Sequence, residues 1–495
     1  MATLVLAAAG KAAGAAFGLG GFGGVIGKAA GSLAGNLIDQ SLFGGGASRD
    51  IEGSRLADLS VQSSSEGASI PKVYGRVRLA GQLIWATNFE EVVTTEEQGG
   101  KAGGSRSAAT VTTYSYFANF AVGLCEGKIA RVGRIWADGK ELDTRQITFR
   151  VYYGSDVQMP DPLITALQDT APAYRGTAYV VFERLDLEPF GNRLPQLSFE
   201  VIRPVEPLEN QVRAITIIPG AGEFAYAPGV VSEVLGPGEQ RPINRHMVAS
   251  TSDWTESIEE LLALCPNLKR VALVVAWFGD DLRAGSCTVR PKVEANGTVT
   301  VGDVWRVAGL ERDAADEVSR IDGRPAYGGT PSDSSVIAAI QDLKAHGLEV
   351  LLYPFIMMDV PTGNGLPDPY GDTEQAPYPW RGRIVPVGPV AVDVASFIGT
   401  ASAAHFSVIG GTVTYNGPDE WSFRRHILHC AALAKAAGGV ESVLVGTEMR
   451  GLSRAHAGGG SYPFADQLRL LASDVRALVG SDVKISYAAD WSEYG

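Results

Sequence analysis

The sequence predicts a multidomain chain: an apolar, glycine-rich N-terminal helix, a β-rich domain, and an incomplete (β/α)8 barrel. Three observations predict this order. Glycines recur every fourth residue near the N-terminus, runs of β-branched residues alternate with turn residues in the next part, and strands alternate with amphipathic helices from residue 212. We place the three parts at residues 1–50, 51–210 and 211–495.

The composition fits a chain that buries real cores. The 495 residues are 45% hydrophobic and 20% charged, which excludes wholesale disorder. The net charge of −13 argues against a protein that binds nucleic acid by neutralising phosphates. The four cysteines are far apart and form no CxxC pair, so we expect neither a zinc site nor a dense disulfide framework. We expect no cofactor.

The N-terminal segment 2–46 contains two lysines and one acid. No positive charge precedes its first apolar run and no clear cleavage site follows, which excludes a secretory signal. The glycine stripe from Gly10 to Gly35 lets helix backbones approach closely, although each helical glycine costs about 1 kcal/mol relative to alanine. Two interpretations stay open: a flexible leader, or a membrane-active or self-associating helix. Gly18–Gly23 matches GxGxxG, but no strand precedes it, so we reject a dinucleotide site.

The segment 51–210 carries short runs that predict strands, separated by glycine and asparagine turns. The predicted strands are Lys72–Val77, Gln82–Ala86, Val111–Val122, Ile147–Tyr153 and Ala178–Phe182. Asp138-Gly139 is a turn signal. Ala102 is the sole apolar residue of Thr94–Ser107 apart from glycine, which predicts a mobile hairpin tip or insertion.

Long motifs in this segment resemble a known family, the central tail-tip proteins of long-tailed phages. The similar strings are PKVYGRVRLAGQLIWA (Pro71–Ala86), FAVGLCEGKIARVGRIWADGKEL (Phe120–Leu142) and YRGTAYVVFERLDLEPFGNRLPQLSFEV (Tyr174–Val201). They most resemble the host-specificity, or baseplate "megatron", protein of gene transfer agents. The resemblance extends over most of the chain, and the motifs occur in the expected order.

The resemblance implies a tail-hub-like β-rich domain and a structural role at the tail tip, or baseplate, of a virion-like particle assembled in the bacterial cytoplasm. It implies a homotrimer that binds the tail hub and distal tail proteins and contacts the host envelope or a surface glycan. DNA would pass through its channel without sequence-specific binding. Copies of the N-terminal segment would plug the channel or enter the envelope.

From residue 212 the pattern becomes strand–helix alternation. The predicted strands are Ala214–Pro219, Val271–Trp277, Glu349–Ile356, Ser442–Gly446 and Val483–Ala488. The predicted helices are one opened by Asp253 with Glu256 in a capping box, then Ser334–His346, Trp421–Ala437 and Pro463–Val479. Within an insertion, Lys292–Val301 carries Asn296-Gly297, a hairpin turn signal.

Five such units argue for a (β/α)8 barrel, but closure needs eight. We therefore expect the barrel to be truncated at the C-terminus, either because the natural protein continues or because the chain is a fragment. An open parallel barrel exposes apolar strand edges, which isolated soluble proteins avoid.

Function in such barrels sits at the C-terminal ends of the strands. Aromatic side chains beside carboxylates are a pattern that sugar binding uses, because flat rings stack on pyranose faces and acids protonate the glycosidic oxygen. The candidate substrate-binding residues are Trp277, Trp380, Arg381, Trp491 and Glu493. Asp280 and Asp281 also follow the second strand.

Residues 348–451 resemble glycoside-hydrolase barrels that place their acid/base glutamate at the end of strand four, and gene transfer agent tail proteins carry a barrel of this type. The resemblance implies that Glu448 is the candidate acid/base. It places the nucleophile on strand seven, which these five units do not include. Related hydrolases often have a polar residue where this chain has Phe355. The alternative is that Glu448 is a capping or salt-bridged carboxylate, paired with Arg450 or Arg381.

Two functions from different classes remain. One is a structural component of the tail tip that acts in host attachment and DNA ejection through the cell envelope. The other is a tail-associated glycoside hydrolase acting on envelope or surface polysaccharide, so the chain's status as an enzyme stays open. His426 and His429 share a helix with Cys430, but Cys430 belongs to its apolar face and we expect no metal.

Overall fold

The computed structural model describes residues 67–98, 109–205, 207–220 and 222–494. The predicted N-terminal helix at 1–50 lies outside these residues, as does the predicted mobile segment from residue 99 onward. Within the described ranges, no helix combines the length and hydropathy needed to cross a membrane.

The β-rich part consists of antiparallel strands in two main sheets. Its elements are β1 (Gly75–Ala80), β2 (Gln82–Ala86), β3 (Glu90–Gln98), β4 (Ala109–Glu126), β5 (Arg131–Ala137), β6 (Lys140–Glu141), β7 (Thr148–Tyr153), helix α1 (Pro162–Leu167), β8 (Thr177–Asp186) and β9 (Leu197–Arg203). One sheet has the order β1-β9-β5-β6 and the other β2-β4-β8-β7, and β3 also pairs with β4.

The predicted strands are present with shifted ends, and the predicted turn at Asp138-Gly139 joins β5 to β6. The prediction that Thr94–Ser107 is mobile is corrected in part. Thr94–Gln98 belong to β3 and pair with Ala109–Thr113 of β4. Antiparallel ladders form through the backbone, and threonine favours strands, so a segment without apolar residues still pairs here.

The core of this part lies between the long strands β4, β8 and β9. Phe120, Phe182 and Phe199 are fully buried, and the rings of Phe120 and Phe182 stack with centroids 5.0 Å apart. Aromatic side chains bury large apolar areas, so these rings fix the β4–β8 pair.

The second part alternates helices and strands. Its first elements are α2 (Leu208–Gln211), β10 (Ala214–Ile217), β11 (Ser232–Gly236), β12 (Glu239–Pro242), α3 (Asp253–Leu264), β13 (Arg270–Gly279), β14 (Val289–Arg290), β15 (Lys292–Val293), β16 (Thr300–Val301), β17 (Arg306–Val307), β18 (Leu310–Glu311), β19 (Asp316–Glu317), β20 (Arg320–Ile321) and β21 (Arg324–Pro325). Its later elements are α4 (Asp333–Ala345), β22 (Glu349–Met358), α5 (Val390–Ile398), β23 (Phe406–Ile409), β24 (Thr412–Tyr415), α6 (Phe423–Ala436), β25 (Ser442–Thr447), α7 (Arg450–Ser453), α8 (Pro463–Val479) and β26 (Lys484–Ala488).

Five parallel strands form the central sheet, in the order β10-β13-β22-β25-β26. This is the strand order predicted for the first five units. Every second residue of β22 from Val350 to Met358 is buried, while its intervening residues are half-buried. The buried set belongs to the large core that also includes Ile340 of α4 and Leu433 of α6. The helices therefore cover one face of the sheet.

Serine residues cap three helices of this part. The caps are Ser252 for α3, Ser332 for α4 and Ser422 for α6. The prediction that Asp253 opens α3 is wrong by one position, because the Ser252 side chain accepts a hydrogen bond from the backbone N of Thr255. Asp253 is the first helical residue, and its carboxylate accepts a hydrogen bond from the backbone N of His246.

The prediction that Lys292–Val301 forms a hairpin is also wrong, because its two strands do not pair with each other. Its first strand, β15, pairs with β19, and its last strand, β16, pairs with β11. The Asn296-Gly297 turn is present, but both flanking strands find partners far along the chain. Local turn chemistry does not determine such pairings.

Ion pairs join the β-rich part to the second part. Arg131 Nη2 of β5 lies 2.9 Å from Glu256 Oε1 and 3.0 Å from Glu259 Oε2, both on α3. The boundary predicted at residue 210 falls inside α2 and stays a prediction.

Candidate functional site

The candidate site lies where β22, β25 and β26 end. Glu448 follows β25 directly, and its backbone N donates to the Ala488 carbonyl at the end of β26 over 2.9 Å. The φ angle of Glu448 is +51°, in the left-handed region that few residues other than glycine adopt. Such a conformation costs about 1–3 kcal/mol and persists where surrounding contacts hold it.

Trp380 and Arg381 reach Glu448 from the long connection after β22. The Trp380 indole Nε1 donates to Glu448 Oε2 over 2.9 Å. The Arg381 guanidinium Nη2 donates to the same oxygen over 2.5 Å, and its Nε donates to the Thr447 carbonyl over 3.1 Å. Of the two partners predicted for a salt-bridged Glu448, the structure therefore shows Arg381 rather than Arg450.

Arg381 is buried although it is charged. Its side chain is 7% exposed, and its guanidinium carbon lies 3.7 Å from the ring centroid of Phe355. Burial lowers the pKa of Arg381, while Glu448 opposes that shift. Phe355, where related hydrolases often have a polar residue, thus provides an aromatic face for the arginine.

A close backbone approach brings this arginine to its place. The 3-10 turn Arg381–Arg383 packs against α7. A Cβ atom on Gly451 would lie 2.2 Å from the Ile384 carbonyl oxygen, so this helix position requires glycine. Gly451 comes three residues after Glu448, so this contact packs the segment that carries Glu448 against the turn that carries Arg381.

The second oxygen of Glu448 has no hydrogen-bond partner among the described residues, since both contacts go to Oε2. The Glu448 side chain is 34% exposed. The site therefore offers one accessible carboxylate oxygen beside a buried cation and an indole. A hydroxyl-rich ligand suits this arrangement, because its O–H groups donate to the carboxylate and its apolar face contacts the indole.

Glu493 does not face open space. Its Oε1 accepts hydrogen bonds from Tyr487 OH over 2.8 Å and Ser453 Oγ over 2.6 Å. Its Oε2 accepts one from the backbone N of Asp490 over 2.7 Å. Its role as a substrate-binding residue stays a prediction, and its contacts in the structure are to the protein itself.

Trp491 lies on the same 3-10 turn as Glu493, and it is 83% exposed. Trp380 is 37% exposed. These two indoles are thus accessible to a ligand, as the prediction requires.

The prediction for Trp277 is wrong in this structure, because its side chain is fully buried. Its ring stacks on His426 with centroids 4.8 Å apart and meets Trp421 edge-on. Trp277 is the eighth residue of β13 and packs toward α6, so it offers no face to a ligand. Strand position alone does not show whether a side chain points to the helices or to the opposite face.

The aspartates after β13 are engaged in structural contacts. Asp280 accepts hydrogen bonds from the backbone N and the hydroxyl of Thr288. Asp281 is buried and pairs with Arg283 over 2.6 Å, and it also accepts from Gln375 Nε2. Both carboxylates hold loops above the sheet.

Sequence reasoning missed Tyr353 and Tyr487. The Tyr353 and Thr447 hydroxyls are 2.9 Å apart, and Tyr487 OH accepts a hydrogen bond from the backbone N of Met449 over 2.7 Å. Tyr353 interrupts the apolar run of β22 two residues before Phe355, whereas β26 is mixed in polarity and gives no such signal for Tyr487. The interruption in β22 was the available signal.

The histidines of α6 form no metal centre in the described part of the chain, where no group of three metal-ligating residues occurs. His429 Nε2 lies 2.8 Å from Asp333 Oδ1. His426 is fully buried, and burial lowers its pKa to about 3. Cys430 is buried in the apolar core, as its position on the helix predicts.

Comparison with known proteins relates part of this chain to gene transfer agents. Residues 421–495 match the family model described as the GTA TIM-barrel-like domain. A chain from the structure "Virion of native gene transfer agent (GTA) particle" is 42% identical, over 44% of this chain and 46% of that chain, with a TM-score of 0.27. This chain thus matches less than half of that protein's length. The family match bears out the resemblance of the sequence to gene transfer agent proteins.

Two glycoside hydrolases also match. A GH113 β-1,4-mannanase is 17% identical over 45% of each chain, with a TM-score of 0.22. The GH113 β-mannanase AaManA from Alicyclobacillus acidocaldarius is 17% identical over 44% of each chain, with a TM-score of 0.21. These values are too low to transfer an activity. No curated protein matches the chain.

Proposed function

We propose that this chain, whose residues 421–495 match the GTA TIM-barrel-like domain, is a structural component of a gene transfer agent particle. The observation that carries the proposal is the 42% identity, over 44% of the chain, to a chain of the native particle. That identity and the family match support this role, whereas the superposition of the folds does not.

Within the particle we place the chain at the tail tip, or baseplate, as a homotrimer bound to the tail hub and distal tail proteins. There it acts in host attachment and in ejection of DNA through the envelope. The acidic composition supports passage of DNA without tight binding, because like charge keeps the phosphate backbone mobile. The glycine-rich segment 2–46 supplies the part that plugs the channel or enters the envelope.

The experiment for this role is deletion of residues 2–46 in the full-length gene. We expect particles that assemble and adsorb to cells but deliver no DNA, measured as transfer of a resistance marker. Deletion of residues 101–106, which removes polar sequence and keeps a four-residue connection between β3 and β4, is the control and leaves delivery intact. Normal delivery after the first deletion contradicts the channel or envelope role.

A second function is favoured by the geometry around Glu448. Its free oxygen, the buried Arg381 and the indole of Trp380 form a site suited to a polysaccharide of the cell envelope or surface. We propose that this site acts in a tail-associated glycoside hydrolase, with Glu448 as acid/base. Hydrolysis needs a second carboxylate, about 5–5.5 Å away for retention or about 6.5–9.5 Å for inversion.

The test uses the full-length protein and purified envelopes. Glu448→Gln keeps the hydrogen bond from Trp380 but removes the ionisable group, so we expect release of reducing sugar to be lost while assembly persists. Glu239→Gln, an exposed glutamate on β12, is the matched control and keeps full release. If the unsubstituted protein releases no sugar, the hydrolase function is rejected.

A further inference from the structure

The backbone around Glu448 is held on both sides. The amide of Glu448 itself donates to Ala488 O, and the next amide, that of Met449, donates to Tyr487 OH. Between these two anchors Glu448 has its left-handed φ of +51°. An L-residue leaves that region when nothing holds it, because the Cβ clashes with the backbone.

Tyr487 is itself fixed for this contact. Its hydroxyl donates to Glu493 Oε1 over 2.8 Å while accepting from the Met449 amide. Burial and the bond to Glu493 raise the pKa of Tyr487 above its usual range, so the hydroxyl stays protonated and keeps donating to Glu493.

The strand geometry fits this arrangement. The pairing of β25 with β26 shifts register between Leu444 and Thr447, so the strand carries a bulge just before Glu448. A Cβ atom on Gly446, within that bulge, would lie 2.9 Å from Cζ of Phe423 and 3.2 Å from Cε2 of Tyr487. Glycine at this point therefore lets the tyrosine ring pack against the strand end.

We infer that Tyr487 is a positioning residue for Glu448, that Glu493 orients it, and that this hydrogen-bonded chain maintains the left-handed backbone at the site. The inference rests on the second proposed function for its consequence in catalysis. The effect of Tyr487 on the backbone at Glu448 does not depend on that function. Displacement of Glu448 moves the carboxylate away from Trp380 and Arg381, so ligand geometry depends on a tyrosine that need not touch the ligand.

The experiment is amide-resolved hydrogen exchange on the full-length protein with Tyr487→Phe, which retains the ring and removes the hydroxyl. The exchange rates of two backbone amides are measured. The Met449 amide loses its acceptor, whereas the Glu448 amide bonds to Ala488 O and not to Tyr487. We expect both to exchange about fivefold faster or more, since one hydrogen bond is lost and the left-handed residue relaxes. Tyr494→Phe, an exposed tyrosine, is the control and changes neither.

The same substitution in a Glu448→Gly background separates positioning from simple loss of a hydrogen bond. Glycine adopts the left-handed conformation without strain, so the amide at position 448 stays protected while that of Met449 still exchanges faster. If Tyr487→Phe changes only the Met449 amide in the unsubstituted background, or neither amide, the positioning role is overturned.

Sugar release completes the test. If the protein is a hydrolase, Tyr487→Phe lowers kcat about tenfold and leaves KM nearly unchanged. A misplaced acid stabilises the transition state less, while substrate binding is barely affected. If the unsubstituted protein releases no sugar, the hydrolase function fails while the exchange result still decides the positioning role. A kcat equal to that of the unsubstituted enzyme contradicts the catalytic consequence.

Discussion

Arg381 Nη2 lies 2.5 Å from Glu448 Oε2, although the two residues are 67 positions apart in the sequence. The two ends of this ion pair differ in environment, with the arginine side chain 7% exposed and the glutamate 34% exposed. Because the arginine also donates to Thr447 O and stacks on Phe355, it is the structural member of the pair. Glu448 is the member that solvent and ligands reach.

Substitution of Arg381 by methionine tests this assignment. The change leaves the Thr447 carbonyl without its donor and removes the charged partner of Glu448. We expect the free energy of unfolding in urea to fall by about 1–3 kcal/mol. Arg383→Met is the control on the same turn, where the side chain is less buried and packs on Tyr370. Equal losses for both variants contradict a special role of Arg381.

Gly451→Ala tests how the turn of Arg381 is placed. The added Cβ would lie 2.2 Å from Ile384 O, so the turn has to move away from α7. We expect a loss of about 1–3 kcal/mol in unfolding free energy. Gly297→Ala is the matched control, since no atom lies within 4 Å of its added Cβ, and it changes stability by less than about 0.5 kcal/mol. A neutral Gly451→Ala would show that the turn is not packed as described.

The buried imidazole of His426 makes the free energy of unfolding depend on pH. Its folded-state pKa is about 3, against an ordinary value of 6.5, so between these values the unfolded chain binds a proton that the folded chain does not. The contribution of His426 to the free energy of unfolding is therefore constant above pH 6.5. It falls by about 1.4 kcal/mol for each pH unit below that value, down to pH 3.

Urea unfolding at pH 7.5 and pH 5.5 measures this difference. His426→Leu removes the titrating group and reduces the loss between the two values by about 1.4 kcal/mol. Leu433→Ala, at a buried position without a titrating group on the same helix, lowers stability equally at both pH values and leaves the loss unchanged. An unchanged pH dependence in His426→Leu contradicts a buried neutral imidazole.

Trp491 tests the ligand side of the site. The side chain is 83% exposed, so Trp491→Ala leaves stability unchanged while removing a stacking surface. We expect binding of envelope polysaccharide to the full-length protein to weaken about three- to tenfold, measured by affinity electrophoresis. Leu470→Ala, at an exposed apolar position on α8, keeps the original affinity. Loss of affinity in both variants would indicate a non-specific effect.

The sequence predicted much of the sheet because parallel strands and amphipathic helices leave strong periodic signals. α8 was predicted at its observed bounds, and β13, β22 and β25 were predicted within three residues at each end. Proline at the start of α8 and glycine after its end are local signals, which explains that accuracy. The register shift in β25 was not predictable, because it depends on its partner strand.

The candidate site was predictable in part for a similar reason. The sequence indicates both Glu448 and Arg381, because strand ends and the connection above them are where barrels place function. The sequence leaves Arg381 and Arg450 both open as partners of Glu448, and the choice between them depends on the tertiary contact at Gly451. The sequence does not show that Trp277 is buried, because alternation along a fully buried strand does not reveal which face each residue occupies.

Electron cryomicroscopy of particles purified from the producing cells tests whether this chain is built into a gene transfer agent particle. Density at the tail tip should fit the antiparallel sheets of residues 75–203 and the five-stranded parallel sheet, with peptides of the chain found in the same particles by mass spectrometry. Intact particles that lack both the density and the peptides would contradict the account.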